Sequence, residues 1–232
     1  MKIGIMQPYF LPYIGYWQLL NAVDKYVIYD DVNFIKGGWI NRNRMLVNGE
    51  PKLFNIQMKG ASPNKLINEI EVSNNTVWKK KLLKTIENSY KKAPFYTDVF
   101  PIIEEIINSD ECNLAKYLAN SIKKVCDYLN IETELIVSST LYKDNNLKAQ
   151  EKVISICKEL KATEYYNAIG GQELYSYEEF KDVDIKLSFL KSNEIKYKQL
   201  KDEFVANLSI LDVLMFNSIN DIKNFLNQYE LI

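Results

Sequence analysis

The first thirty residues constrain the fold more than any other stretch of the chain. Lys2 to Met6 (Lys-Ile-Gly-Ile-Met) is a short apolar run ending at Gln7-Pro8 and reads as a buried strand. Gln7-Pro8-Tyr9-Phe10-Leu11-Pro12 carries two prolines and reads as a turn, after which Tyr13 to Val23 reads as an amphipathic helix. Pro12 suits the start of that helix, where a missing N–H removes no hydrogen bond. Tyr26 to Tyr29 (Tyr-Val-Ile-Tyr) is a second strand, closed by Asp30-Asp31. Strand, short turn, helix and strand in that order open a βαβ unit and imply a parallel sheet.

The pattern recurs later. Glu134 to Ser138 reads as a strand, Ala149 to Leu160 as a helix and Glu164 to Asn167 as a strand, a second βαβ unit. Ile185 to Leu190 is a further strand, and the tail from Leu208 to Tyr229 reads as two helices. Between the two units, residues 77–92, about 95–108 and 113–130 read as amphipathic helices, with Pro94 and Pro101 marking breaks. Their lysine runs read as solvated faces. Asn33 to Arg44 fits neither period and reads as a loop leading into a hairpin: Met45 to Val47, a turn at Asn48-Gly49, then Lys52 to Met58. The expected fold is α/β: a mostly parallel sheet with βαβ units, plus a helical insertion or lobe at about 75–130. No repeat or linker divides residues 1–232, so one domain is expected.

Composition narrows the chemistry. The chain has no histidine, which removes the usual general base, the usual zinc ligand and any Ser-His or Cys-His pair. Acid–base work must come from Asp, Glu, Lys, Tyr or the substrates themselves, and no metal-ligand set is assigned. Three unpaired-looking cysteines, Cys112, Cys126 and Cys157, fall in helix-like stretches and read as small buried hydrophobes in a reducing compartment. The apolar run at residues 1–6 is too short for a signal peptide, and no run of 18 apolar residues occurs. A cytoplasmic location with no membrane span is therefore expected. A net charge of −1 gives no field for nucleic acid.

One asymmetry marks a site. Of 29 basic residues only two are arginine, Arg42 and Arg44, each preceded by an asparagine. A planar guanidinium grips phosphate or carboxylate through two parallel hydrogen bonds, which an ammonium cannot copy. The alternatives are a structural ion pair and anion binding, and we favour the second. Lys36 adds a third cation within nine residues, and Trp39 and Phe34 add aromatic faces, a set suited to a diphosphate carrying a stackable base. Asn41 and Asn43 offer partners for hydroxyls. Six of eight glycines lie in residues 1–60 and the other two are Gly170-Gly171, at the end of a strand beside Asn167. That later loop reads either as a second polar loop on the same sheet edge or as a plain strand-to-helix turn. Asp30-Asp31 at a strand end serve either as a functional carboxylate or as a turn cap.

The strand–turn–helix opening also looks like that of adenylate-forming and nucleotidyl-transferring α/β enzymes, pantothenate-synthetase-like ones among them. Tyr13-Ile14-Gly15-Tyr16 stands where those carry His-x-Gly-His. A closer resemblance covers nearly the whole chain. Gln7-Pro8-Tyr9, Pro12-Tyr13-Ile14-Gly15-Tyr16, Asp30-Asp31-Val32-Asn33-Phe34, Lys36 and Asn41-Arg42-Asn43-Arg44 resemble the opening of the WbqC-like family. Gly170-Gly171-x-x-Leu174-Tyr175, Tyr197-x-Gln199 and Leu208 to Leu214 look like its second half. Many members carry a histidine immediately before the Gln-Pro, where this chain has Met6. The resemblance implies a place among proteins of bacterial surface-polysaccharide biosynthesis, O-antigens with N-acylated amino sugars included. It also implies glycine transfer to an amino sugar.

The expectation that joins both lines is an enzyme transferring an amino acid, glycine first, or a related acyl group to the amine of a nucleotide-linked deoxyamino sugar. Activation would come from ATP, through an adenylate, or from a carrier-protein thioester. Candidate catalytic residues are Asp30, Asp31 and Lys36. Candidate substrate-binding residues are Gln7, Tyr9, Tyr16, Trp39, Asn41, Arg42, Arg44, Asn167, Gly170 and Gly171. The alternative is a non-catalytic nucleotide-sugar-binding module of a polysaccharide-biosynthesis complex.

Overall fold

The computed structural model describes residues 1–201 and 203–232. The chain enters as β1 (Lys2–Met6), crosses α1 (Ile14–Asn21) and returns as β2 (Lys25–Ile28), parallel to β1 with Met6 opposite Ile28. A long excursion follows. It holds the hairpin β3 (Arg42–Val47) and β4 (Glu50–Asn55), the small pair β5 (Met58–Lys59) and β6 (Glu71–Val72), then α2 (Thr76–Tyr90), α3 (Tyr96–Asn108) and α4 (Leu114–Leu129). β7 (Glu134–Val137) rejoins the sheet beside β2, and α5 (Ala149–Glu159) leads to β8 (Glu164–Ala168) beside β1. α6 (Tyr177–Lys181) and β9 (Lys186–Ser192) follow, then α7 (Ile210–Phe216), α8 (Ile219–Leu226) and β10 (Tyr229–Leu231).

The six-stranded sheet runs β10-β9-β8-β1-β2-β7, parallel except for β10. Counted outward from β7, its strands come third, second, first, fourth, fifth and sixth along the chain. That is a doubly wound order with its switch point between β1 and β8, and ligands of such sheets gather at the carboxyl ends of the strands.

Alternation along β1 builds two layers. Ile3 and Ile5 pack on one face with Val153, Ile156 and Cys157 of α5 and Phe180 of α6. The opposite face meets Trp17 and Leu20 of α1, Leu118 and Ile122 of α4, and Leu226 of α8. Gly4 lies on that second face, where a Cβ would sit 3.1 Å from the Tyr26 ring. The buried residues of α2 and α3, such as Trp78, Ile86 and Ile103, belong to this same cluster. Each such large side chain contributes roughly 1.5–3 kcal/mol on burial.

Four local expectations change. Arg42 and Arg44 lie in β3 rather than in a loop. Pro101 sits inside α3 rather than at a break. Its ring costs on the order of 3 kcal/mol in a helix interior, which the complete burial of Val99, Ile103, Ile106 and Ile107 offsets. Cys112 is exposed between α3 and α4, whereas Cys126 and Cys157 are buried and their thiols are pushed up to about 12, chiefly by that burial. The tail ends in β10, whose three residues are too few for a periodicity to show.

Candidate functional site

The proline turn after β1 is pinned from four sides. Phe10 N donates to Ile40 O at 2.9 Å, Trp17 Nε1 to Pro12 O at 3.1 Å, and Ile210 N to Pro12 O at 2.9 Å. Leu11, at φ +43°, turns its carbonyl to two donors, Asn43 Nδ2 at 2.9 Å and Ser209 Oγ at 2.6 Å. The turn is thus rigid where β3 and the start of α7 meet it.

β3 presents the arginines beside this turn. Successive strand side chains point to opposite faces, so Asn43 and Met45 are buried while Arg42 and Arg44 share the half-exposed face. Trp39 lies against both guanidinium groups, 5.8 Å from Arg42 and 5.7 Å from Arg44 to the ring centre, and remains 43% exposed. Arg42 donates to the carbonyls of Gly38, at 3.0 Å, and Gly37. Gly37 adopts φ +79°, a backbone conformation that favours glycine. Arg44 Nη2 reaches Asn207 O at 3.3 Å, and Arg44 Nε is buried without a hydrogen-bond partner among the described residues. Among the described residues no carboxylate pairs with either arginine, so the structural ion pair is not realised.

A cavity of about 390 Å³ opens at this face, lined by Tyr9, Pro12, Tyr13, Trp39, Asn43, Arg44 and Asn207. A neighbouring one of about 360 Å³ shares Tyr13 and Asn207 and continues past Ser192, Glu194 and Tyr197. The two form a cleft that is aromatic and cationic at one end and more polar at the other. Its chemistry suits an anionic group with an attached planar ring.

The carboxyl edge of the sheet is arranged differently. Asp30 accepts from Ser139 N at 2.9 Å, Ser139 Oγ at 2.6 Å and Asn68 Nδ2 at 3.2 Å, tying the ends of β2 and β7 together. Asp31 Oδ2 lies 2.9 Å from Lys143 Nζ and 3.1 Å from Lys152 Nζ. Burial pulls the Asp31 carboxyl up, but the Ser138 hydroxyl and the two ammonium groups outweigh it and hold the carboxyl below its usual range. Asp31 Oδ1 and Ser138 Oγ nevertheless form no hydrogen bond, although the hydroxyl lies near enough to act on the charge. Lys143 and Lys152 carried no sequence signal, being two among 27 lysines.

The structure brings together Tyr9, Trp39, Arg42 and Arg44 from the sequence candidates. Lys36 is exposed in the same connection before β3, and Gln7 is half-buried at the end of β1. Asn41 instead donates to Ile56 O at 3.3 Å inside the protein, and the Tyr16 hydroxyl, 3% exposed in its residue, donates to Gln7 O at 3.2 Å. Asn167, Gly170 and Gly171 lie at the end of β8 and line neither cavity of the cleft. Asn167 Oδ1 accepts from Ala168 N at 2.8 Å, and Gly171 has no room for a Cβ beside Asn167 Nδ2. Tyr197 and Gln199, singled out for resemblance, reach a fully buried Asp212 at 2.7 and 2.8 Å, with the Tyr90 hydroxyl at 2.9 Å. Burial raises that carboxyl despite the three donors. Among the described residues no group of three or more Cys, Asp or Glu is placed to hold a metal ion, and no helix is long and apolar enough to cross a membrane.

A doubly wound sheet with an arginine–tryptophan cleft beside the turn after its first strand defines an α/β protein with an anion-competent groove. The chain belongs to the WbqC-like protein family, whose model matches residues 7–224. It is similar to the uncharacterized protein Rv1507c of Mycobacterium tuberculosis, 28% identical over 220 residues that make up 93% of each chain. No solved structure matches it.

Proposed function

We propose that the chain forms an amide between an amino acid, glycine in the simplest case, and the amine of a nucleotide-linked deoxyamino sugar. Its place would be in the cytoplasmic assembly of bacterial surface polysaccharide. The observation that carries this reading is the pair of guanidinium groups on Trp39, half-exposed and, among the described residues, without a carboxylate partner. Arg42 and Arg44 would hold the diphosphate, Trp39 would stack on the base, and Lys36 would extend the cationic rim. Tyr9, with Gln7 behind it at the end of β1, would face the sugar and acyl oxygens.

In the reaction the sugar amine attacks the activated acyl carbon. A C–N bond forms, the bond from that carbon to the phosphate of an adenylate, or to a thioester sulfur, breaks, and the amine gives up a proton. Positioning supplies much of the rate, because the two reactants are held as one. The arginines would also stabilise charge developing on the leaving phosphate. Asp30 already accepts three hydrogen bonds and Asp31 is paired with two ammonium groups that hold its carboxyl below its usual range, so neither stands free to take the amine proton. Their role is to shape the edge, and the proton passes to the leaving group or to water.

The same two engaged aspartates, in a chain without histidine, favour the second reading, a nucleotide-sugar-binding module. Turnover separates the two. Mass spectrometry of the protein incubated with a dTDP-linked amino-dideoxy sugar, glycine and ATP should show a glycyl-sugar and AMP. Protection of the protein by the nucleotide sugar, without product when a glycyl-charged carrier protein is also supplied, would establish the binding module instead.

A further inference from the structure

Away from the arginine cleft, the carboxyl ends of β2 and β7 bury an unbalanced set of charges. The side chains of Lys143, Lys152 and Asp31 are 1%, 9% and 9% exposed. Lys152 Nζ bonds Asp31 Oδ2 and, at 2.9 Å, Asp31 O, and it lies 5.3 Å from the centre of the Tyr29 ring. Lys143 Nζ bonds the same carboxylate oxygen and Ser138 O. An ammonium carries three donors, so each lysine keeps one unused. One carboxylate cannot balance two ammonium groups, and among the described residues no other acid pairs with either. A buried net charge is costly unless a counter-charge is present. Ser138 Oγ and Asp31 Oδ1 are buried beside it without a hydrogen bond to any described residue. Lys152 projects from the first turns of α5, whose N-cap residue, Lys148, provides no side-chain cap, so the positive end of that helix adds to the same field.

The deficit is one negative charge and two acceptor oxygens, which a carboxylate supplies and a phosphate dianion exceeds. We propose that Lys143, Lys152 and Ser138 form a binding site for a small carboxylate. On the amide-forming reading, on which this last step rests, the ligand is the free amino acid, held by its carboxylate before activation.

The test is thermal unfolding of the full chain as sodium acetate replaces sodium chloride at constant ionic strength and pH, with glycine added in a separate series. A ligand that binds only the folded chain raises Tm. Acetate should raise Tm in the wild type, and Lys143→Met and Lys152→Met should each bind acetate roughly tenfold more weakly while still folding. Each single change leaves Asp31 paired with the remaining lysine. Should either methionine variant fail to fold, Ser138→Ala removes one hydroxyl and serves as the milder probe, again with a smaller acetate response. No acetate response in the wild type, or the same response in the wild type and the variants, would overturn the site. An acetate response without a glycine response would overturn the donor assignment alone. Turnover is not the readout, so failure of the amide-forming reading would leave the acetate result unaffected.

Discussion

At Trp39 two guanidinium groups stand half-exposed, held by main-chain carbonyls, with no carboxylate beside them among the described residues. At the carboxyl ends of β2 and β7 two ammonium groups are buried and share one carboxylate. Both regions concentrate positive charge next to the parallel sheet, but they hold it in opposite ways. In the first, solvent supports the charge, so little folding energy depends on it and it remains available to a ligand. In the second, burial makes each charge depend on its partners, so the same residues are bound up with stability. Exposed pairs are worth about 0–1 kcal/mol, whereas breaking a buried one costs about 3–5 kcal/mol.

That contrast can be broken first at Asp31. Asp31→Ala should destabilise the chain by about 3–5 kcal/mol, since it leaves two buried ammonium groups unpaired; a chemical-denaturation loss below about 1 kcal/mol would mean that water reaches the cluster and supports it. At the cleft the expected effects are smaller and fall on binding. Arg44→Lys keeps the charge and loses the planar fork, so nucleoside diphosphate should bind about 1.5–3 kcal/mol more weakly with Tm unchanged. Trp39→Leu should cost about 1–2 kcal/mol through lost stacking, measured by the same titration, and thymidine diphosphate should lose more than pyrophosphate does. Lys36→Gln, at an exposed position, should weaken binding by no more than about 1 kcal/mol.

A pH series sharpens the comparison. Asp31 is held below its ordinary value of 3.8 in the folded chain, so on acidification the unfolded chain takes up its proton first. The stability that Asp31 contributes is present above that ordinary value and is lost as the pH falls through the lower folded one. Asp212 acts in the other sense: its carboxyl is raised above 3.8 by burial, so it costs stability as the pH climbs through that value. Asp31→Ala should therefore flatten the acid limb of the stability curve, while Arg42→Lys and Arg44→Lys should leave it unchanged.

The arginine pair was legible because composition made it conspicuous, two arginines among 29 basic residues. Gly37, Gly38 and Trp39 hid the strand that follows them, so the face shared by residues 42 and 44 became visible only once β3 paired with β4. Asn41 and Tyr16 read as ligand contacts because a polar side chain near a site looks the same in sequence whether it meets a substrate or a carbonyl. The folded chain uses both for the carbonyls of Ile56 and Gln7. The parallel sheet and the three helices of the excursion followed from periodicity, which is local. The lysine cluster did not, because Lys152 meets Asp31 across 121 residues and nothing local separates it from an exposed lysine.

The central claim is that the Trp39–Arg42–Arg44 face binds a nucleoside diphosphate through its guanidinium geometry. The direct test is calorimetric titration of thymidine diphosphate into the wild type and Arg44→Lys at equal pH and salt. The expected result is wild-type binding that weakens roughly tenfold or more in the variant, with both proteins unfolding at the same temperature. Equal affinities, or no heat of binding in either protein, would contradict the claim.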